Sequence, residues 1–380
     1  MTEAMPRKYI IACGGTGGHL APGIALAQKL TAGGDHCRLV ISQKQVDTRL
    51  TRKYTNLQFV SVPGVGFSLN PIRLILFLYS LGKSVSFSFN WIRKWKPDVV
   101  VAFGGFISVG VVLAAALMRV PIVLHEANRK PGRTILMMRK LASRIYLPDG
   151  IRLRGVSPSK IRYYGYPVRE EVARLDTEGA RLEMGLDPAG KLLVVMGGSQ
   201  GASAFNKWVV DNFDKLAEQG VNVYCIAGPT QGTDGVIDGT SKTGKKVKCV
   251  FKSFSDRIPE LLSAADLVIT RAGAGSISEI IRCRTPSILI PYPFAVDNHQ
   301  LANALFFERQ GGGVLVHQEK MDRLLAEVQE LISNNWLLSR FRYNLNKMDR
   351  FDSAEYISTD LRNLCTNDFT EEFLCEGKLA

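Results

Sequence analysis

The sequence predicts an α/β protein made of two doubly wound, parallel-sheet domains, and two observations carry that expectation. A β-branched apolar run, Tyr9 to Ala12, leads straight into Gly14-Gly15-Thr16-Gly17-Gly18-His19 and then into a helical pattern. The same arrangement recurs where Leu192 to Met196 runs into Gly197-Gly198-Ser199-Gln200-Gly201. Strand, glycine turn and helix, in that order, open a nucleotide-type parallel domain. Two such domains face to face leave a cleft, and the residues lining that cleft decide function.

The remaining elements follow in order. In the first half, strands are expected at Tyr9–Ala12, Arg38–Ser42, Phe59–Val62, Val99–Phe103, Ile122–His125, Arg144–Leu147 and Ile161–Tyr164. In the second half they are expected at Leu192–Met196, Val221–Ala227, Val247–Phe251, Leu267–Thr270, Ser287–Ile290 and Gly313–Val316. Helices there start near Ala204, Ile258, Ile277 and Gln300, giving the strand–helix alternation of a wound sheet. Gly and Pro punctuate the pattern near Tyr166-Pro167-Val168. The domains are therefore placed at 1–167 and 168–345, with a helical tail at 346–380. Thr230 to Lys246 is polar and rich in Gly, Thr and Lys, and is expected to be a mobile surface loop. Val99 to Met118 carries no charge over 20 residues, long enough to cross a bilayer. Its strand–Gly104-Gly105–helix pattern assigns it instead to a buried strand and a buried helix.

The bulk composition narrows the function classes. At 380 residues, 46% hydrophobic and 22% charged, the chain has room for two folded domains and is not a disordered segment. Seven scattered cysteines without a C-x-x-C pair suggest neither a zinc site nor a disulfide framework, and fit a reducing cytoplasm. Met1 to Lys8 lacks the apolar core of a signal peptide. Residues 1–168 hold 24 Lys and Arg against 6 Asp and Glu, whereas residues 169–380 hold 24 against 29. So basic a first half predicts a polyanionic partner. The aromatic-interleaved basic motifs of RNA-binding modules are absent, so an anionic membrane surface is expected and nucleic acid is not. Pro71 to Ser80 is dense in large apolar residues, with Arg73, Lys83, Arg93, Lys94 and Lys96 around it. That pattern suits a peripheral membrane contact, with a core helix as the plainer alternative.

Each motif has a chemical and a plain reading. The first glycine loop lacks the G-x-G-x-x-G spacing and the acidic residue of dinucleotide folds, which disfavours a dehydrogenase. His19, at a helix start, is kept neutral by the helix's positive end and could act as a general base, or simply pack at the turn. Glu126 and Asn128 follow a strand at its carboxyl edge, where they could bond sugar hydroxyls or form a loop network. The second glycine loop, with Ser199, can cradle a diphosphate at a helix N-terminus, and Arg169 could reach the same phosphates. Ser276-x-x-Glu279 has the form of a capping box; alternatively Glu279 binds both ribose hydroxyls, with Gly273 and Gly275 allowing close approach. Asp297 is placed as a helix cap, His299 and Gln300 as sugar donors, and Asn303 as structural. No Asp-x-Asp metal motif is present, and neither a metal nor a cofactor is expected.

Taken in order, these motifs resemble the MurG family of bacterial glycosyltransferases over about residues 8–345. The resemblance rests on the Gly14–His19 loop, Phe103-Gly-Gly-Phe106, His125-Glu-x-Asn128, Pro167-Val-Arg169, the Gly197–Ala202 loop, Arg271-x-Gly-Ala with Ser-Glu279, and Asp297-x-His-Gln300 with Asn303-Ala. It implies a GT-B fold and inverting transfer of N-acetylglucosamine from UDP-GlcNAc to undecaprenyl-linked lipid I. The product would be lipid II for peptidoglycan synthesis, made at the cytoplasmic face of the bacterial membrane. The first domain would then hold the acceptor and the membrane, and the second UDP-GlcNAc.

The resemblance also assigns residues. His19, or else Glu126, removes the acceptor's proton. Glu279 holds the ribose; Arg169, Ser199 and Ser276 lie near the diphosphate; Ser255 flanks the uracil. Ala274 and Gly275 line the nucleotide, and Asn128, His299 and Gln300 contact the sugar. Thr16, Gly17 and Gly18 meet substrate beside His19, while Gly14, Gly15, Gly104, Gly105 and Phe106 lie on the acceptor side. The chain departs from the family pattern at Phe106-Ile-Ser108-Val-Gly110, Thr134-Ile135 and Tyr164-Gly-Tyr166. Competing readings are a related transferase using diacylglycerol, or a sugar-nucleotide-binding scaffold without turnover.

Overall fold

The computed structural model describes residues 5–14, 17–42, 51–62, 71–184, 186–187, 189–198, 201–228, 234–350 and 352–366. It divides into two compact units. One comprises residues 1–126, 133–167 and 352–380, the other 127–132 and 168–351. Each contains a seven-stranded sheet.

In the first unit the strands are β1 (Lys8–Ala12), β2 (His36–Ile41), β3 (Gln58–Ser61), β4 (Val99–Ala102), β5 (Ile122–His125), β6 (Arg144–Tyr146) and β7 (Ile161–Arg162). Their order is β3-β2-β1-β4-β5-β6-β7, and every pairing is parallel. The helices are α1 (Gly17–Ala32), α2 (Pro71–Trp95), α3 (Ile107–Leu117) and α4 (Arg133–Met138). Strand alternation splits the core. Tyr9 and Ile11 pack with Leu20, Ile24 and Leu30 of α1, while Ile10 and Ala12 pack with Val111, Val112 and Ala115 of α3. Both faces are covered, so these strands read as unbroken apolar runs. Val99 to Met118 is β4, a glycine turn and α3, as expected. Among the described residues no helix is long and apolar enough to cross a membrane.

The second unit holds β8 (Lys191–Met196), β9 (Val221–Ile226), β10 (Gly235–Thr240), β11 (Lys246–Lys252), β12 (Leu267–Thr270), β13 (Ser287–Leu289) and β14 (Gly313–Leu315). Their order is β10-β11-β9-β8-β12-β13-β14. All pairings are parallel except β10 with β11. The helices are α5 (Thr177–Glu183), α6 (Ser203–Glu218), α7 (Ile258–Ala264), α8 (Ala274–Cys283), α9 (His299–Arg309), α10 (Leu324–Ser333) and α11 (Asn335–Met348). The expected mobile loop at Thr230–Lys246 is corrected here, because residues 235–240 are the strand β10. Its glycines hid it. Gly239 is needed because a Cβ there would lie 2.8 Å from Ala217 Cβ on α6.

Beyond residue 351 the chain returns to the first unit as α12 (Ser353–Thr366). Ile357 and Leu361 join the α1 side of that core. Tyr146 donates its hydroxyl to Asp360 (2.9 Å), and Arg144 pairs with the same carboxylate at 3.0 Å. Arg362 meets Asp35 at 2.9 Å, and Lys29 meets Glu355 at 2.7 Å.

In both sheets the strand order reverses beside the first strand. In the first unit β1 lies between β2 and β4, and in the second β8 lies between β9 and β12. Open α/β sheets bind ligands at the carboxyl ends of strands flanking such a switch point. Except for Pro167-Val-Arg169, which follows the edge strand β7, the motifs singled out from the sequence follow one of these strands or its neighbour.

Candidate functional site

In the first unit Ala12 and Ala102 are register partners, so the loops after β1 and β4 leave the sheet at one level. Gly15 and Thr16 lie outside the described residues. Gly17, Gly18 and His19 form the first turn of α1, where backbone N–H groups lack partners within the helix. Gly104 and Gly105 both have positive φ, +95° and +75°. A Cβ on Gly104 would sit 3.3 Å from His19 Nε2, and one on Gly105 would sit 3.2 Å from His19 Nδ1 and 3.0 Å from Gly14 O. The two glycines therefore form a bare wall against the imidazole, and any side chain there would displace it. The buried Ser108 hydroxyl donates to Gly104 O at 2.5 Å, which fixes this turn. Phe106 packs on Phe77, with ring centroids 4.8 Å apart.

After β5, His125 is buried and its Nε2 donates to Gly165 O at 2.8 Å. Its Nδ1 has no hydrogen-bond partner among the described residues. Burial pushes its pKa down to about 4; His19 lowers it further, and the bond to Gly165 opposes both. In the unfolded chain the ring titrates near 6.5. Between these values the unfolded chain binds a proton that the folded chain does not, so stability is complete above pH 6.5 and declines as pH falls towards 4. The expected loss across that window is about 3 kcal/mol, read from urea titrations at stepped pH. His125→Asn should flatten that slope. Glu126 is also buried, and its N–H donates to Tyr146 O at 2.9 Å.

Asn128 belongs to the second unit. Asn303 holds this segment: its Nδ2 donates to Asn128 Oδ1 (3.0 Å) and to Ala272 O (3.1 Å), and its Oδ1 accepts from Arg129 N (2.9 Å). Asn303 is structural, as expected.

The second glycine loop follows β8. Ser199 and Gln200 lie outside the described residues. Gly201 has φ +76°, and a Cβ there would lie 2.3 Å from Ala227 O. Helix α6 then starts with no side-chain cap, its N-cap being Ala202. Sixteen residues of uncapped helix point their positive end at the loop.

After β12 the capping-box reading fails. The N-cap of α8 is Gly273, with no side-chain bond, so Ser276 lies within the first turn and Glu279 in the second. Glu279 instead accepts from Arg169 at 2.8 Å, with side chains only 16% and 12% exposed. Arg169 also lies 3.5 Å from Glu171. Ala274, Gly275 and Ser276 supply the uncapped N–H groups of α8. Arg271 was singled out only as part of its motif, yet its buried guanidinium lies over the rings of Phe205 (4.4 Å) and Tyr292 (5.4 Å) and donates to Ile290 O. It ties the loop after β13 to the start of α6. An arginine directly after a buried strand was the available signal.

Asp297 is not the cap expected of it. It has φ +53°, and the N-cap of α9 is Asn298 without a side-chain bond. His299 opens the helix and donates Nδ1–H to Val296 O at 2.7 Å, so Nε2 of the neutral ring is an acceptor. Gln300 Oε1 accepts from Tyr292 N at 2.9 Å, which leaves its amide N–H groups as donors. Ser255 Oγ accepts from Arg257 N at 3.2 Å. The second unit thus gathers two uncapped helix starts, an Arg–Glu pair and a His–Gln pair at neighbouring strand ends. Such a set can hold a phosphorylated, hydroxyl-rich ligand.

Known proteins share this layout. Residues 9–147 match the glycosyltransferase family 28 N-terminal domain, and residues 192–351 its C-terminal domain. The chain is 50% identical over 356 residues to the UDP-N-acetylglucosamine--N-acetylmuramyl-(pentapeptide) pyrophosphoryl-undecaprenol N-acetylglucosamine transferase of Opitutus terrae, covering 94% of each. The protein of that name from Desulforudis audaxviator is 34% identical over 88% of this chain and 92% of its own. Among solved structures, MurG of Acinetobacter baumannii superposes with a TM-score of 0.71 at 20% identity, covering 94% of this chain and all of that one. The calicheamicin glycosyltransferase CalG4 gives a TM-score of 0.69 at 13% identity, covering 97% of this chain and all of that one. At these identities the two structures speak for the fold alone.

Proposed function

The chain belongs to glycosyltransferase family 28 and, within it, to the N-acetylglucosaminyltransferases named above; we propose that it moves N-acetylglucosamine from UDP-GlcNAc to the C4 hydroxyl of the muramyl sugar of lipid I. The α-linked donor becomes a β-linked product, lipid II, in one displacement. The observation that carries this reading is the pairing of Arg169 with Glu279 in the unit that also carries two uncapped helix starts. It offers a carboxylate for a ribose beside positive groups for a diphosphate.

Two tasks follow from the chemistry. The departing UDP needs charge stabilisation, which the starts of α6 and α8 and Arg169 supply. The attacking hydroxyl needs a base, and His19 beside its glycine wall is the first choice. His299 and Gln300 present one acceptor and paired donors to the sugar. Roles for Thr16 and Ser199, outside the described residues, rest on the motif alone. The test is UDP release from UDP-GlcNAc with and without a short-chain lipid I analogue. Release that requires the analogue supports the transfer. UDP-GlcNAc binding without release would favour a scaffold, and release with diacylglycerol instead would move the acceptor class.

The first unit is proposed to rest on the cytoplasmic face of the membrane. Helix α2 buries Ser84, Ser88 and Ile92 yet exposes Ile75 (68%), Leu76, Leu78 and Tyr79 (62%). Lys83 lies over the Tyr79 ring at 4.5 Å. The core-helix and membrane readings thus describe opposite faces of one helix. Apolar residues edged with cations suit an anionic headgroup boundary. Ile75→Glu with Leu78→Glu should cut sedimentation with phosphatidylglycerol vesicles by about tenfold or more, while UDP binding stays unchanged. Equal sedimentation of the double variant would remove α2 from the membrane contact.

A further inference from the structure

The segment between β13 and α9 is built around one aromatic residue. Pro291, Tyr292 and Pro293 follow one another, and a proline has no backbone N–H. Tyr292 therefore supplies the only main-chain donor of the three. That N–H goes to Gln300 Oε1 at 2.9 Å. The Tyr292 carbonyl accepts from Ala295 N at 3.1 Å and closes a turn with Pro293 at its second position, where a fixed φ suits the bend. The Tyr292 ring lies under the Arg271 guanidinium at 5.4 Å and meets Phe294 edge-on at 5.6 Å. The backbone donor, the backbone acceptor and the side chain of Tyr292 are thus all engaged.

Arg271 fixes this arm to the sheet. It stands directly after β12, donates to Ile290 O at 3.2 Å and stacks at 4.4 Å on Phe205, in the first turn of α6. Ile290 N in turn donates to Thr270 O at 2.8 Å, so the root of the arm is tied to β12. A planar guanidinium can lie against two rings and donate in its own plane at once, which a lysine ammonium cannot do.

We propose that Tyr292 is a positioning residue for the donor sugar: held by Arg271, it dictates which end of the Gln300 amide faces the ligand. An N–H can only donate, so the Gln300 atom that meets it must be the oxygen. The amide nitrogen is then turned away from the arm and presents its donors to the hydroxyl or acetamido oxygens of a bound sugar. A free glutamine side chain samples both amide orientations and gives that freedom up on binding; one held in advance has already given it up. The inference rests on the proposed contact between Gln300 and N-acetylglucosamine, and adds the residue that orders Gln300 beforehand.

Isothermal titration with UDP and with UDP-GlcNAc tests this, because the ratio of the two dissociation constants isolates what the sugar adds. Tyr292→Ala should raise the dissociation constant for UDP-GlcNAc by about three- to tenfold and leave that for UDP unchanged. Tyr292→Phe keeps the ring under Arg271 and should restore the wild-type affinity. In a Gln300→Ala background Tyr292→Ala should have no further effect, which is the coupling a double-mutant cycle reads. Equal losses for UDP and UDP-GlcNAc would make the tyrosine a structural residue only and overturn the proposal, as would an undiminished effect of Tyr292→Ala without Gln300. If Gln300→Ala leaves UDP-GlcNAc affinity unchanged, the contact between Gln300 and the sugar falls, and the positioning role with it. If Gln300→Ala weakens UDP-GlcNAc alone while Tyr292→Ala does nothing, only the positioning role falls. Tyr292 is an exposed residue, so its replacement spares the core, and UDP binding reports an intact site in each variant.

Discussion

Glu279→Ala should raise the dissociation constant for UDP by about a hundredfold, with a smaller change for Glu279→Gln. Glu279 sits in the second turn of α8, and one of its carboxylate oxygens, Oε1, accepts from Arg169 at 2.8 Å. The carboxylate keeps acceptor capacity for the two hydroxyls of a ribose. Hydrogen bonds to a charged group contribute roughly 1.5–3 kcal/mol each. The pair is mostly buried, so removing the carboxylate also strands the guanidinium, and breaking a buried pair costs about 3–5 kcal/mol in its own right. Comparing ligands separates the two effects. If Glu279 only positions Arg169, the variant loses affinity equally for UDP and for its 2′,3′-dideoxy analogue. If it holds the ribose, wild type discriminates strongly between these ligands and the variant does not. Isothermal titration of both proteins with both ligands decides, and equal discrimination by the two proteins would sink the ribose role.

The fold was legible because its physics is local and repeated. Strands buried on both faces must be apolar along their whole length, and each glycine turn must follow one. Strand β10 was not legible. Its apolar content is two residues between glycines, and what holds it is the non-local fit of Gly239 against α6. The destination of α12 was hidden for a similar reason. Asp360 meets Tyr146 across 214 residues of sequence, a partnership that no local pattern encodes. At the site the motifs marked segments that the fold places at strand ends, but local geometry departs from some of their readings. Ser276-x-x-Glu279 has the spacing of a capping box, yet the helix starts two residues before Ser276 and leaves Glu279 to Arg169. Asp297 looked like a cap, and a left-handed backbone at Asp297 and Asn298 removed that option. Arg271 carries a buried cation whose partners are two rings and a carbonyl, all set by tertiary packing.

His19→Ala should lower kcat by about 100- to 10,000-fold while KM for UDP-GlcNAc changes little. A positioned base acts in the transition state, so its loss appears in kcat rather than in ground-state binding. Both nitrogens of the His19 ring lie beside the Gly104-Gly105 wall, which leaves no side chain between imidazole and backbone. Glu126 is the rival, a buried carboxyl one residue past β5. The pH profile of kcat/KM separates them, because its acidic limb reports the base of the free enzyme. His125 cannot supply a limb near neutrality, since burial holds its titration at about 4. A limb in the ordinary histidine range that vanishes in His19→Ala and survives in Glu126→Gln assigns the base to His19. A limb that survives in His19→Ala and vanishes in Glu126→Gln gives the proton to Glu126 and leaves His19 to orient the acceptor. A third variant links rate to geometry. Gly105→Ala adds a methyl 3.2 Å from His19 Nδ1 at a φ of +75°. If His19 is the base, that methyl should reproduce much of the His19→Ala loss in kcat with the imidazole still present.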